Sequence, residues 1–359
     1  MTHPVFVIAE AGVNHNGDRE LGYQLVDAAA EAGADAVKFQ TFTADELVSR
    51  SAPKAAYQER TTGASESQYE MIRRLELTEQ THLDLMDHAQ KRGIRFLSTP
   101  FGSGSLTLLC ERLGLDLIKV GSGELTNLPF LVEVGRASRR VILSTGLGRI
   151  GEVEQALAAL AWGFTADATS QPSCDDLWRA FSGARAQAAL RERVTLLHCT
   201  TEYPAPVEDV NLRAMDTLRQ AFGLPVGYSD HTAGIHVPVA AVARGASVLE
   251  KHLTLDRTLP GPDHEASLEP REFARMVEHV RSIEQALGDG VKHPRASELP
   301  NLAVARKSLV AAAPIAKDEL FTKANLAIKR PGTGLPPAMY WSLLGQPATR
   351  QYDADELIR

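Results

Sequence analysis

Eight short apolar runs punctuate the first four-fifths of the chain: VFVIAEA (5–11), DAVKFQTF (35–42), IRFLSTPF (94–101), DLIKVGSGE (116–124), RVILSTG (140–146), RVTLLHCT (193–200), PVGYSDH (225–231) and SVLEKHLTL (247–255). Helical patterns fill the intervals. Over 18–32, Leu21, Leu25, Ala28, Ala29 and Ala32 form one apolar stripe, with Asp18 placed to cap the start and Gly33 to end it. Strand and helix patterns in alternation predict parallel βα units, and eight of them predict an α/β fold of the (β/α)8 TIM-barrel type. A doubly wound sheet is the second choice, weakened because no GxGxxG follows a strand.

Two segments break the rhythm. Residues 43–78 form a long polar insert after the second run, of the kind that builds lids and substrate walls. Residues 162–190 are a second excursion that adds a helix. After a helix expected over 269–286, Gly, Pro and charged residues mark a linker. The predicted boundaries are a barrel over 1–287, a linker over 288–304 and a small, turn-rich β domain over 305–359.

Each of the eight runs ends in polar residues: Glu10; Lys38 and Gln40; Ser98 and Thr99; Lys119, Ser122 and Glu124; Ser144 and Thr145; His198 and Thr200; Ser229, Asp230 and His231; Glu250 and His252. A single polar strand end simply reaches solvent. Eight in one chain converge on the catalytic face of a barrel.

Composition narrows the function without naming it. The chain has 359 residues, 44% hydrophobic and 23% charged, with a net charge of −7, which gives no basic face for nucleic acid and no membrane-seeking surface. No apolar run approaches the ~20 residues of a membrane span, and no signal peptide is visible, so a cytoplasmic enzyme is expected. Cys110, Cys174 and Cys199 are scattered and odd in number, as free thiols in a reducing compartment are. An anionic substrate therefore needs a local cluster of cations.

Lys38 and Lys119 supply one. Each sits inside an apolar strand, where an ammonium is costly unless paired. They form either a barrel ion pair with Glu10 or Glu124, or two cations facing an anion beside the hydroxyls of Thr99, Ser122, Ser144 and Ser229, the parts of a phosphate cradle. His231 and His252 end consecutive strands. They are either satisfied core histidines or two imidazoles on one divalent metal, with His198 as a further ligand or support. Glu10 is either a salt-bridge partner or a general base that orders a water. Asp263, in the turn GPDH, either caps the turn or reaches over the mouth.

The motifs IAEAGVNHNG, AVKFQTF, FLSTPF, IKVGSGE, LSTG, HCTTEYPAP, GYSDHT, EKHLTLD and GPDHEASLEP occur in this order over nearly the whole chain. Together they resemble the sialic acid synthase family, which makes nonulosonic acids from phosphoenolpyruvate. KRPGTGL with its preceding segment resembles that family's C-terminal antifreeze-like (SAF) domain. The resemblance implies condensation of phosphoenolpyruvate with an N-acetylated mannose-type sugar: N-acetylmannosamine, giving N-acetylneuraminate and phosphate, or alternatively 2,4-diacetamido-2,4,6-trideoxymannose, giving N,N'-diacetyllegionaminate. It implies phosphoenolpyruvate contacts at Lys38, Thr99, Lys119, Ser122, Ser144 and Ser229, with Glu124 beside them. It implies metal ligands at His231 and His252, taking Mn2+ or Mg2+, and an acid that handles the water at Glu10. Sugar-side positions fall at Gln40, Tyr203 and Asp263. Arg330 corresponds to an arginine that the small domain delivers into the other subunit's mouth, which implies a domain-swapped homodimer. Phe39 stands where the N-acetylmannosamine branch carries His, and Thr201 where it carries Asn. These departures resemble a different branch, which contains other bacterial sialic acid synthases as well as legionaminic acid synthases. A metal-dependent barrel hydrolase and a non-catalytic sugar-binding protein are the rival readings.

Overall fold

The computed structural model describes residues 4–63 and 65–359. They fall into two compact units, Met1–Gly288 and Asp289–Arg359. In the first, eight strands form one parallel sheet: β1 (Phe6–Gly12), β2 (Ala36–Thr41), β3 (Arg95–Pro100), β4 (Leu117–Val120), β5 (Arg140–Ser144), β6 (Val194–His198), β7 (Val226–Asp230) and β8 (Val248–His252). Their order is β3-β2-β1-β8-β7-β6-β5-β4, with β1 pairing β8, and β3 and β4 lie against each other. This is the nearly closed (β/α)8 barrel expected from the eight runs. Among the described residues, no helix is long and apolar enough to cross a membrane.

Side-chain alternation along the strands sorts the core into two parts. Ile8, Ala36, Leu97, Leu117, Ile142, Leu197 and Val248 form one buried apolar cluster inside the barrel. The residues between and beside them, such as Val7, Val37, Phe96, Ile118, Leu143, Leu196 and Leu249, belong to the larger cluster shared with the surrounding helices. The helix Arg19–Glu31 illustrates the outer layer: Asp18 accepts a hydrogen bond from the Glu20 amide at its start, and Leu25, Val26, Ala28 and Ala29 are buried.

The 43–78 insert is more than a loop. It carries the helices Ala44–Leu47, Ala56–Thr62 and Gln68–Arg73, and packs Ala44, Tyr69, Met71, Ile72 and Leu75 against Val13 and Phe42. The 162–190 excursion holds two helices, Cys174–Ser182 and Ala184–Arg193, where one was expected. The second unit has its own core of Leu309, Ala311, Ile315, Phe321, Leu326, Ala348, Tyr352 and Ile358. Its strands β9 (Ser308–Ala311) and β10 (Leu326–Lys329) pair antiparallel. The stretch expected as a linker includes the helix Leu299–Ala305.

Candidate active site

Two residues beyond the seven members of the inner apolar cluster, towards the C-terminal strand ends, stand Glu10, Lys38, Thr99, Lys119, Ser144, Cys199 and Glu250, and on β7 Ser229 stands two beyond Gly227. All eight line one cleft. The step of two is the strand repeat itself, so a ring of polar groups sits directly on the apolar plug. Gln40, Ser122, Thr201, Tyr203, His231 and His252 complete the cleft wall. Of the fourteen residues expected at the site, eleven are thus brought together.

The ring is an alternating charge network. Lys38 Nζ lies 2.6 Å from Glu10 Oε2 and donates to Thr99 Oγ1 at 3.0 Å. Glu250 stands between the two lysines, 3.6 Å from Lys38 Nζ and 3.5 Å from Lys119 Nζ, and accepts from Ser229 Oγ at 2.8 Å. Gln40 Nε2 donates to Glu10 Oε1 at 3.2 Å. The strand β1 makes room for this arm by a register shift between Glu10 and Gly12. Gly12 has φ +53°, and a Cβ there would come 3.2 Å from Glu10 Oε1.

Burial raises the Glu10 carboxyl above its ordinary range; Lys38 opposes this and Glu250 adds to it. Burial also pushes Glu250 up, but the ammonium groups of Lys119 and Lys38 bring it down to about 2. The two carboxylates are therefore unlike: two ammonium groups hold Glu250 ionised, whereas burial favours the neutral form of Glu10. Burial lowers Lys119, which Glu250 partly offsets, whereas Glu10 and Glu250 outweigh burial at Lys38 and raise it.

Of the four hydroxyls expected to cradle a phosphate, Thr99 and Ser229 bond to the charge network, while Ser122 bonds outside it. Ser122 Oγ accepts from the Gly146 amide at 3.0 Å and lies 3.2 Å from Cys199 Sγ. The Thr201 hydroxyl is buried without a hydrogen-bond partner, a polar atom left for a bound molecule.

His231 and His252 face each other with ring centroids 5.5 Å apart, and the Tyr203 ring packs 4.2 Å from His231. Burial pushes His231 down to about 4; burial, then His231 and Lys38, lower His252 further, so both imidazoles are neutral. His231 Nδ1 donates to the Thr200 carbonyl at 2.6 Å, so Nε2 carries the lone pair, with Ser229 Oγ 3.5 Å away. His252 Nδ1 is buried with no hydrogen-bond partner and lies 3.9 Å from Asp263 Oδ2. Neutral imidazoles with an unsatisfied ring nitrogen suit a divalent metal. Among the described residues no group of three or more His, Cys, Asp or Glu side chains is arranged to hold one, so a metal here would take two protein nitrogens and keep positions open for substrate and water.

Three expected residues lie elsewhere. Asp263 is buried in the loop after β8, beside His252, and is not among the residues that line the cleft; burial and then Glu10 push it up to about 7. Glu124 turns away: its carboxylate accepts from Asn127 Nδ2 at 2.7 Å, in the turn that follows β4, and does not line the cleft. Arg330 belongs to the second unit, where its Nε donates to the Ala305 carbonyl at 3.0 Å. His198 is also corrected. It points out of the barrel, with Nε2 2.6 Å from the Val210 carbonyl and its ring beside Tyr228, and is no ligand. The sequence assigns no role to Glu250 or Cys199, and it marks Thr201 only as a departure that bears on the choice of sugar. The signal for Glu250 was its place two residues before His252 on one strand, hence on the same face.

A sequence model described as the NeuB family matches residues 25–292. An N,N'-diacetyllegionaminic acid synthase from Campylobacter jejuni is 49% identical over 353 residues, covering 98% of each chain. A protein of the same name from Legionella pneumophila is 44% identical, covering 95% of this chain and 89% of its own. Among solved structures, the N-acetylneuraminic acid synthetase of Leptospira borgpetersenii superposes with a TM-score of 0.67 at 33% identity, covering 84% of this chain and 91% of that one. The barrel, the ordered motifs and these matches agree, and the chain belongs to the NeuB family.

Proposed function

We propose that this enzyme condenses phosphoenolpyruvate with 2,4-diacetamido-2,4,6-trideoxymannose and water, giving N,N'-diacetyllegionaminate and phosphate. The observation that carries the choice of sugar is the 49% identity over nearly the full length of a legionaminic acid synthase, against 33% to the sialic acid synthetase of known structure. This reverses the order in which the sequence motifs placed the two sugars. Phe39, buried against Phe96 and His15, goes with the same branch.

The chemistry follows from the ring. Phosphoenolpyruvate brings a carboxylate and a phosphate, which Lys38 and Lys119 offset in a cleft with little water. The hydroxyls of Thr99, Ser122, Ser144 and Ser229 and the Gly146 amide supply hydrogen bonds to its oxygens. Carbon 3 then attacks the aldehyde of the open-chain sugar, and the aldehyde oxygen takes a proton. His231 and His252 would hold a divalent metal, Mn2+ or Mg2+, which would supply positive charge near the aldehyde oxygen. Carbon 2 is left electron-poor. Glu10 takes a proton from a water that adds there and returns it to the sugar oxygen, and the hydroxyl proton of the tetrahedral adduct leaves with phosphate as the C–O bond breaks and the ketone forms. Gln40 holds the Glu10 carboxylate in line for that transfer.

On the acceptor side the proposal places Tyr203, Asp263 and Arg330. Arg330 is taken to act in the mouth of a second subunit, delivered by an SAF-type domain, in a domain-swapped homodimer working in the cytoplasm. The deciding experiment offers the diacetylated 6-deoxy sugar and N-acetylmannosamine separately with phosphoenolpyruvate, and reads phosphate release and product mass. Release with the first and at least tenfold less with the second is expected. The opposite preference overturns the sugar, and no release with either overturns the reaction.

A further inference from the structure

Behind the two imidazoles lies a second charge pair that the condensation does not use. Asp230 and Lys251 are partners across the β7–β8 ladder, and each immediately precedes one of the two histidines. Ser229, His231, Glu250 and His252 face the cleft, so the residues between them face the other way. Both charged side chains have 0% exposure, and Lys251 Nζ lies 2.5 Å from Asp230 Oδ2.

The pair holds the backbone on both sides of His231. Lys251 Nζ also donates to the Thr232 carbonyl. Asp230 Oδ1 accepts from the Thr232 amide at 3.2 Å, from Thr232 Oγ1 at 2.9 Å and from the Tyr228 hydroxyl at 3.0 Å. The His231 carbonyl is tied separately to the Ala205 amide at 2.8 Å. Packing alone does not call for such a pair, because apolar residues of similar volume hold a seam at least as well without the cost of desolvating two charges. What an ion pair adds is direction.

We infer that Lys251 and Asp230 are positioning residues for His231: by fixing residues 230–232 they set the imidazole opposite His252 with Nδ1 on the Thr200 carbonyl and the lone pair on Nε2. The inference rests on the reading of His231 and His252 as a metal pair. Removing the outer partners of a metal ligand costs roughly 10- to 100-fold in metal affinity, and a loss in that range is expected here.

The test uses the full-length, metal-free protein and the double variant Lys251→Met/Asp230→Leu, which leaves no lone charge behind. Mn2+ is titrated and followed by the EPR signal of the free ion, with His231→Ala as the control for a lost ligand. The imidazole 15N shifts of His231 are recorded without metal. The variant is expected to melt cooperatively, to keep its phosphoenolpyruvate affinity, to bind Mn2+ at least tenfold more weakly, and to lose the single-tautomer signature of His231. A folded variant with unchanged Mn2+ affinity and an unchanged His231 spectrum overturns the inference. Wild-type protein that binds no Mn2+ overturns the metal reading instead, and the His231 spectrum alone then decides whether the pair orients the ring. If the double variant does not fold, Lys251→Met decides: it removes the ammonium while Asp230 keeps its donors from Tyr228 and Thr232. A several-fold loss of Mn2+ affinity is expected, and none overturns the inference.

Discussion

The Lys38 ammonium lies 2.6 Å from the Glu10 carboxylate, with both side chains buried. A salt bridge and a catalytic pair are therefore not competing readings of these residues. Lys38 also donates to Thr99 Oγ1 and Glu10 accepts from Gln40; on the proposed mechanism an incoming anion would take over Lys38 and free Glu10 for a water. Glu10→Gln keeps the size and the hydrogen bonding to Gln40 but cannot accept the water's proton. Its kcat is expected to fall by roughly 10^2- to 10^4-fold, the range for loss of a general base. Phosphoenolpyruvate affinity, measured by calorimetry, is expected to hold or rise, because one negative charge leaves the cleft. Near-normal turnover removes Glu10 from the mechanism.

Metal removal separates the imidazole pair from the charge ring. Treatment with a chelator followed by dialysis is expected to abolish condensation, with Mn2+ or Mg2+ restoring it, while phosphoenolpyruvate still binds through Lys38 and Lys119. His252→Ala is expected to be inactive and not restored by metal. Full activity in the stripped protein excludes a role for metal at His231 and His252.

The period-two pattern made the barrel legible, and with it the ring: Lys38, Lys119 and Ser144 were found because polar residues interrupt apolar strands. The phase of the pattern was harder to read. Ser98, His198 and Asp230 are as polar as their neighbours, yet they face the helices, where Thr41, the Val210 carbonyl and Lys251 satisfy them. Strands of four to seven residues with polar groups on both faces do not declare which face is inward until the register with their neighbours is known. Glu250 was passed over for the same reason: its value lies in standing between Lys38 and Lys119, which come from strands far away in sequence. Glu124 misled in the opposite direction, because a turn after a short strand takes its last residues out of alternation.

Acid stability should carry the mark of a histidine behind the site. His15 is fully buried, with Nδ1 accepting from the Gly17 amide at 2.9 Å. Burial, then His82 and His264, push it down to about 4 from its ordinary 6.5. Between those values the unfolded chain binds the proton and the folded one does not, so stability is full above pH 6.5 and is lost as pH falls towards 4. The loss from His15 alone is about 2 to 3 kcal/mol by pH 4.5. Asp263, raised to about 7, acts in the opposite sense, since the folded state holds its proton over much of the same window. Urea unfolding at pH 7 and 4.5 is expected to show a smaller drop for His15→Asn than for wild type. An equal drop in both proteins assigns the acid sensitivity elsewhere.

Gly146 offers a test of the phosphate side that leaves every charge in place. A Cβ on this residue would come 2.3 Å from Thr201 Oγ1, 2.6 Å from Ser122 Oγ and 3.0 Å from Cys199 Sγ. All three belong to the cleft wall rather than to the helix layer, so the crowding is discharged into the cleft. The hydroxyls must rotate or withdraw, and the Gly146 amide loses its 3.0 Å contact with Ser122. Gly146→Ala is expected to raise the KM for phosphoenolpyruvate at least tenfold while the melting temperature moves by a few degrees at most. By contrast, a Cβ at Gly227 would meet the Val248 carbonyl at 2.3 Å, inside the β7–β8 seam, and Gly227→Ala is expected to lower the melting temperature sharply. The pair of variants therefore distinguishes crowding in the cleft from damage to the barrel. If Gly146→Ala keeps a wild-type KM, the hydroxyl side of the cleft does not hold phosphoenolpyruvate.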